Sequence, residues 1–359
     1  MWMINGRITT GSLGHHRGGV LTLAWQPDGA LLASGGRDGE LRLWRVGAAA
    51  DRRHDDAGWD PVLSVAWSAD GRRLAGGTHD GVVKLWPHDG GRPDTFSRQD
   101  GDVHALAWSP DGSRLAVGGV EGEVRVRSAA GGDGLAVLPT PTGVRALAWS
   151  PVRADTLALV GGDGTVRIWH LEDATGHSAD PLGGWCRAIA WSPDGRYLAV
   201  GDDDGRLQMW DTGGDGDRRR LGGRTGGIRA VAWDPAGTRL VTGHDDGTIR
   251  LWEIPGHVEP VSLGRHPETV SDLAWSADGS RVISIGDDGV VRSWTPETDP
   301  AIREPECAIA LDGSLHAVDA HPTDGRLAVA GSHGVYVMEV IRGTSTFRSG
   351  RPMNDLGGA

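Results

Sequence analysis

Arginine returns at a fixed interval in the middle of this chain: Arg145, Arg187 and Arg229 stand 42 residues apart. A guanidinium presents a planar fork of donors that matches a carboxylate or a phosphate, so three held together would be chemistry for gripping an anion. Trp185, two residues before Arg187, adds a flat indole, and an Arg cluster beside an exposed Trp is the usual make-up of a binding hot spot. His104 and His316 are candidates for acid and base if the anion were a substrate. The sequence completes no active site around them, because no nucleophile, paired carboxylate or metal-spaced cluster accompanies them.

A second group looks catalytic at first sight. His16, Ser34, Asp38 and Trp44 reappear as His266, Ser284, Asp288 and Trp294, every member shifted by 250 residues. A set copied with its internal spacing unchanged belongs to a repeating scaffold rather than to one reaction centre.

The repeat is plain once sought. Ala24-Trp25-Gln26-Pro27-Asp28-Gly29 has near copies at Ala66-Trp67, Ala107-Trp108, Ala148-Trp149, Ala190-Trp191, Ala232-Trp233 and Ala274-Trp275, spaced by 41 or 42 residues. A worn eighth copy reads Asp319-Ala320-His321-Pro322-Thr323-Asp324-Gly325. In the first unit, Val20–Trp25 is β-rich and mostly apolar, as a strand buried on both faces should be. Pro27-Asp28-Gly29 and Arg37-Asp38-Gly39 are turn chemistry, separating it from short strands at Leu31–Ser34 and Leu41–Trp44. The variable stretch that follows has room for one edge strand. Each unit therefore predicts a four-stranded antiparallel sheet, and such sheets must stack to cover their apolar faces.

Trp44, Trp86, Trp169, Trp210, Trp252 and Trp294, each following an Asp-Gly turn, resemble the third-strand Trp of the WD-repeat β-propellers, over roughly residues 12 to 340. The resemblance implies an all-β ring of blades in which a buried His, a Ser or Thr, an Asp and the Trp are hydrogen-bonded together. Units one and seven carry the full set (His16, Ser34, Asp38, Trp44; His266, Ser284, Asp288, Trp294), whereas Asp80 with Trp86 and Asp246 with Trp252 keep only the acid and the indole. Unit three departs furthest, with Glu121 and Arg127 at those positions. Eight units predict eight blades, with seven blades plus a C-terminal hairpin as the alternative. Met3–Thr10 is expected to supply the outer strand of the last blade, since an unpaired edge invites aggregation. Residues 1–346 are then one propeller domain and 347–359 a flexible tail.

In that family the loops entering the innermost strands and the second-to-third-strand turns share the top face. The residue after the first apolar position of each innermost strand points there. Around the ring it is Leu21, Leu63, His104, Arg145, Arg187, Arg229, Ser271 and His316. The expectation is an arc of three arginines with Trp185 beside it, flanked by His104 and, further round, His316. Turn acids at Asp163, Asp203, Asp204, Asp245 and Asp246 offer a competing reading, in which the arginines only balance local charge.

Composition narrows the partners. A net charge of −12 argues against nucleic acid, whose binding relies on cations neutralising phosphates. Turns such as Asp202-Asp203-Asp204-Gly205 supply too few converging oxygens for calcium, and the Gly-rich turns serve hairpins, so neither metal nor cofactor is expected. Cys186 and Cys307 form no disulfide framework, which fits a reducing compartment. Without a signal-peptide pattern or membrane span, a cytoplasmic monomer is expected. Lys84 is the single lysine against 35 arginines, a coding bias pointing to a GC-rich bacterial genome. Trp59 is expected under its loop, and Arg218-Arg219-Arg220 on a solvated face. The functional expectation is a noncatalytic scaffold that binds an acidic or phosphorylated segment of a protein. The alternative is a funnel that binds or turns over a small molecule.

Overall fold

The computed structural model describes residues 6–46, 53–56, 60–89, 91–131, 134–173, 175–178, 184–213, 218–221, 226–254, 259–296 and 304–342. Strand β1 (Gly6–Gly14) precedes the repeats, and the first unit then forms β2 (Val20–Trp25), β3 (Leu32–Gly36), β4 (Glu40–Trp44) and β5 (Arg53–Asp56). Gly29 closes the first hairpin at φ 74° and Gly39 the second at φ 75°, a backbone region that a side chain rarely adopts. Val20, Leu32 and Ala33 are wholly buried, so the apolar alternation is used on both faces of the sheet.

Seven further sheets repeat this plan, giving eight four-stranded antiparallel blades and no helix among the described residues. The innermost strands are β2, β6 (Val62–Trp67), β10 (Val103–Trp108), β14 (Val144–Trp149), β18 (Cys186–Trp191), β22 (Ile228–Trp233), β26 (Val270–Trp275) and β30 (Leu315–Ala320). Each packs on the next and β30 packs on β2, so the ring closes. The core lies between blades. Ala33, Leu41 and Leu43 of the first blade, for example, join Val62, Trp67, Leu74 and Trp86 of the second in one cluster. Gly35 makes this contact possible: a Cβ there would lie 2.6 Å from Val62 Cγ1.

The inner-strand tryptophans also clamp the seams between blades. The indole N–H of Trp67 donates to the Ala24 carbonyl at 3.1 Å, and Trp108, Trp149, Trp191, Trp233 and Trp275 repeat the bond to Ala66, Ala107, Ala148, Ala190 and Ala232. Trp25 closes the circle on the Asp319 carbonyl at 3.3 Å.

The last blade has the order β1-β32-β31-β30, with β31 (Arg326–Gly331) and β32 (Gly334–Arg342). β1 runs antiparallel to β32 from Gly6 opposite Arg342 to Gly14 opposite Val335. The eighth unit is thus a complete blade, not the hairpin of the seven-bladed alternative, and the N-terminal strand closes it. That strand reaches Gly14, beyond the Thr10 expected. Met3, Ile4 and Asn5, Trp59, and the expected tail at 347–359 lie outside the described residues.

Candidate functional site

Every innermost strand carries an irregularity at its second residue. In β2, Val20 pairs with Gly36 and Thr22 with Gly35, which leaves Leu21 without a partner. The same slip skips Leu63, His104, Arg145, Arg187, Arg229, Ser271 and His316 in the other seven. These are the eight positions singled out in the sequence. A bulge frees one residue from the ladder and re-aims its side chain, so the fold offers eight equivalent display positions whose chemistry the sheet does not dictate. They share one end of the ring with the second-to-third-strand turns: Arg37 N–H donates to Gly19 O at 3.0 Å, and Asp203 N–H to Trp185 O at 2.9 Å.

Arg145 and Arg187 are exposed, and Arg229 is half-buried. Arg145 stacks over the Trp185 ring at 5.8 Å, and Trp185 itself is 52% exposed. Arg187 Nε donates to Asp203 Oδ1 at 3.0 Å, so one arginine of the three is held by a turn acid. The other turn acids attend to different partners: Asp163 pairs with Arg167 at 3.1 Å and Asp204 with Arg206 at 2.8 Å. Among the described residues Arg145 and Arg229 have no ion pair, and Arg229 Nε is buried without a hydrogen-bond partner.

His104 Nε2 lies 3.7 Å from Asp102 Oδ2, with His79 Nε2 at the same distance on the other side. Burial and the neighbouring Arg145 charge hold the His104 imidazole below its ordinary value, against the pull of Asp102. His316 is likewise lowered, by burial and Arg37, and its Nε2 is 3.5 Å from Ser332 Oγ. The two histidines stand three blades apart with Leu21 and Leu63 between them, so the ring does not bring them together as an acid–base pair.

The two look-alike sets each lie within a single blade and use none of the bulge residues. His16 Nδ1 is 2.8 Å from Asp38 Oδ1, its Nε2 is 2.8 Å from Ser34 Oγ, and Trp44 Nε1 donates to Ser34 Oγ at 2.8 Å. His266, Asp288, Ser284 and Trp294 repeat this at 2.9, 2.7 and 2.8 Å. Burial keeps both imidazoles neutral-leaning, below the ordinary histidine value, despite the adjacent carboxylates. With Nδ1–H donating to the Asp, Nε2 accepts from the hydroxyl and the hydroxyl accepts from the indole. The chain is saturated at each atom, and Ser34 and Ser284 are wholly buried.

Sequence reasoning missed a third version. In the sixth blade Trp252 Nε1 donates to Thr242 Oγ1 at 3.0 Å, and His244 Nε2 meets the same hydroxyl at 3.0 Å. The histidine comes from the second strand of the blade instead of the entering loop, and its Nδ1 reaches the Gly226 carbonyl at 2.7 Å. The signal was present as Thr242 and His244 ahead of Trp252. Elsewhere the hydroxyl is gone. Gly76 and Leu159 occupy the Ser34 position in blades two and four, and the indole nitrogens of Trp86 and Trp169 are buried without partners.

Two half-buried acids were also missed. Asp272 of β26 and Asp319 of β30 lie among the innermost strands, and each accepts a backbone N–H from the next blade. Separately, clefts of about 270 and 300 Å³ sit at the first-to-second-strand turns, the opposite end from the bulges. The candidate face and these clefts are therefore different places.

Fold and ring together define a closed eight-bladed β-propeller. A family model described as the IFT122 first beta-propeller matches residues 1–253, and a second, described as WD domain, G-beta repeat, matches residues 259–295. The chain belongs to the WD-repeat β-propeller family, whose members generally serve as protein-interaction scaffolds and are typically noncatalytic. Among solved structures it is similar to the crystal structure of the computationally designed Ika8 protein, at 22% identity and a TM-score of 0.77. That match covers 91% of this chain and 98% of the designed one, and it speaks to fold alone. No curated protein matches the sequence. Among the described residues no helix is long and apolar enough to cross a membrane.

Proposed function

We propose that the protein is a noncatalytic interaction scaffold whose bulge-bearing face captures an acidic or phosphorylated segment of a partner protein. The observation that carries this reading is the run of Arg145, Arg187 and Arg229 at the freed position of three consecutive blades, on a chain whose net charge is −12. A local cationic strip on an acidic protein selects anions and repels its own kind. Trp185 supplies the apolar platform that such a site needs, with Arg145 already laid across it. Each arginine that meets an anion directly contributes about 1.5–3 kcal/mol as a charge-assisted hydrogen bond.

Affinity purification from the native cell, run in parallel on the wild type and on Arg145→Glu, Arg187→Glu, Arg229→Glu together, tests the proposal. The expected result is a partner retained by the wild type and lost by the triple variant, with unchanged circular dichroism. A partner that stays bound to the triple variant would remove the arginines from the site.

A further inference from the structure

The freed position of the innermost strands holds two residues that the fold does not ask for, the leucines of the first two blades. Leu21 and Leu63 are half-buried, and neither joins an apolar cluster of the core among the described residues. The same position accepts arginine, serine and histidine in other blades, so the sheet does not require leucine there. Because β2 packs on β6, the two leucines belong to adjacent members of the ring. Half-buried Pro61 stands with them: its carbonyl accepts the His79 N–H at 3.0 Å, as the Trp185 carbonyl accepts that of Asp203. Single apolar side chains on a surface are ordinary, but these gather in one arc.

The ring order decides what faces this arc. Innermost strands pack in the succession β2, β6, β10, β14, β18, β22, β26, β30 and back to β2, so the first blade stands across from the fifth and the second from the sixth. Leu21 is thus opposite Arg187, and Leu63 is opposite Arg229. We infer that this face recognises a segment with two anchors, an acidic or phosphorylated residue held by the arginine arc and a large apolar side chain seated on Leu21 and Leu63. The inference rests on the anion grip proposed above and names what else the partner carries. An arginine arc alone holds any acidic chain, whereas a second anchor of different chemistry selects among them. Packed sheets lie about 10 Å apart, which sets opposite strands of an eight-membered ring roughly 25 Å apart. Side chains at both ends shorten the gap to roughly 15–20 Å, the length of about five or six extended residues. A span of that length suits a stretch of polypeptide better than a small molecule.

Labelled synthetic peptides test the two anchors by fluorescence anisotropy on the full-length protein. Each begins with an acidic run, glutamate in one set and phosphoserine in the other, followed by a flexible linker. Leucine is placed at increasing distance from the acidic run, and a matched peptide carries serine at the same place. In the wild type, leucine about five or six residues away should bind about tenfold tighter than its serine match. In Leu21→Ser/Leu63→Ser that advantage should disappear. No advantage in the wild type at any spacing, or one that persists in the double variant, would overturn the second anchor. So would an equal advantage with leucine directly beside the acidic run, because such a peptide cannot reach across the ring. The wild-type series decides the matter even if the double variant fails to fold. The anion grip has a separate control: serine-matched peptides of both sets that bind the wild type no better than the triple arginine-to-glutamate variant would sink that reading, and the two-anchor segment with it.

Discussion

Two tryptophans in equivalent places provide a controlled experiment on what the His–Ser–Asp–Trp chain contributes. Trp44 and Trp86 are both 2% exposed, and both lie opposite a wholly buried leucine of the second strand of their blade. They differ in one partner: Trp44 Nε1 bonds Ser34 Oγ at 2.8 Å, whereas Gly76 leaves Trp86 Nε1 buried and unpaired. Replacing each by phenylalanine removes similar volume, so the packing costs largely cancel in a comparison. Trp44→Phe additionally forfeits a hydrogen bond with a net value of about 1 kcal/mol, while Trp86→Phe relieves a buried donor whose desolvation costs about 1–3 kcal/mol. Trp44→Phe should therefore destabilise the protein more than Trp86→Phe by about 2–4 kcal/mol. Urea denaturation followed by far-ultraviolet circular dichroism reads the difference directly. Equal losses, within about 0.5 kcal/mol, would refute the claim that this hydrogen-bonded chain, beyond the indole's bulk, stabilises the blade.

Asp203→Asn frees Arg187 from a pair that is 39% and 33% exposed, so it removes about 0–1 kcal/mol of competition, and a labelled oligoglutamate peptide should bind up to about fivefold tighter by fluorescence anisotropy. Weaker binding would make Asp203 part of the contact instead of its competitor. His16 and His266 are held below the unfolded histidine value of about 6.5, so the stability they allow is complete above that pH and declines as pH falls below it. Replacing both with glutamine should flatten that part of the acid limb in a thermal-melt series, and an unchanged acid limb would show that they do not titrate with unfolding.

The architecture was legible because it is written eight times, and the blade count survived even the loss of Trp at Ala320. The display positions were legible only through resemblance, since nothing in the pattern Val-Leu-Thr-Leu-Ala-Trp marks Leu21 as unpaired. That becomes visible when Val20 and Thr22 take adjacent partners on β3. His244 escaped notice because the expected histidine lay on the entering loop, and the same hydroxyl can be reached from another strand. Asp319 escaped for a different reason. In a worn copy a departure from alanine reads as decay, and only the fold reveals that its carboxylate meets Trp25 of the first blade, 294 residues away. Charge balance at Arg187 was likewise undecidable from spacing, because Asp203, Asp204 and their neighbours compete for several arginines at once.

The pairing of β1 with β32 also imposes an order in time. Gly14 is made 321 residues (335 − 14) before Val335, its partner, so the first strand waits on the order of tens of seconds for an edge to join. Throughout that wait seven blades can stack as they emerge, while the ring stays open at one place, between β26 and β2, where β30 will pack. The hazard of an exposed edge is thus concentrated in the nascent chain, and a second ribosome on the same message carries the matching strand nearby. A permuted gene that starts between two strands of another blade would move this waiting place around the circle without changing a single contact of the finished molecule.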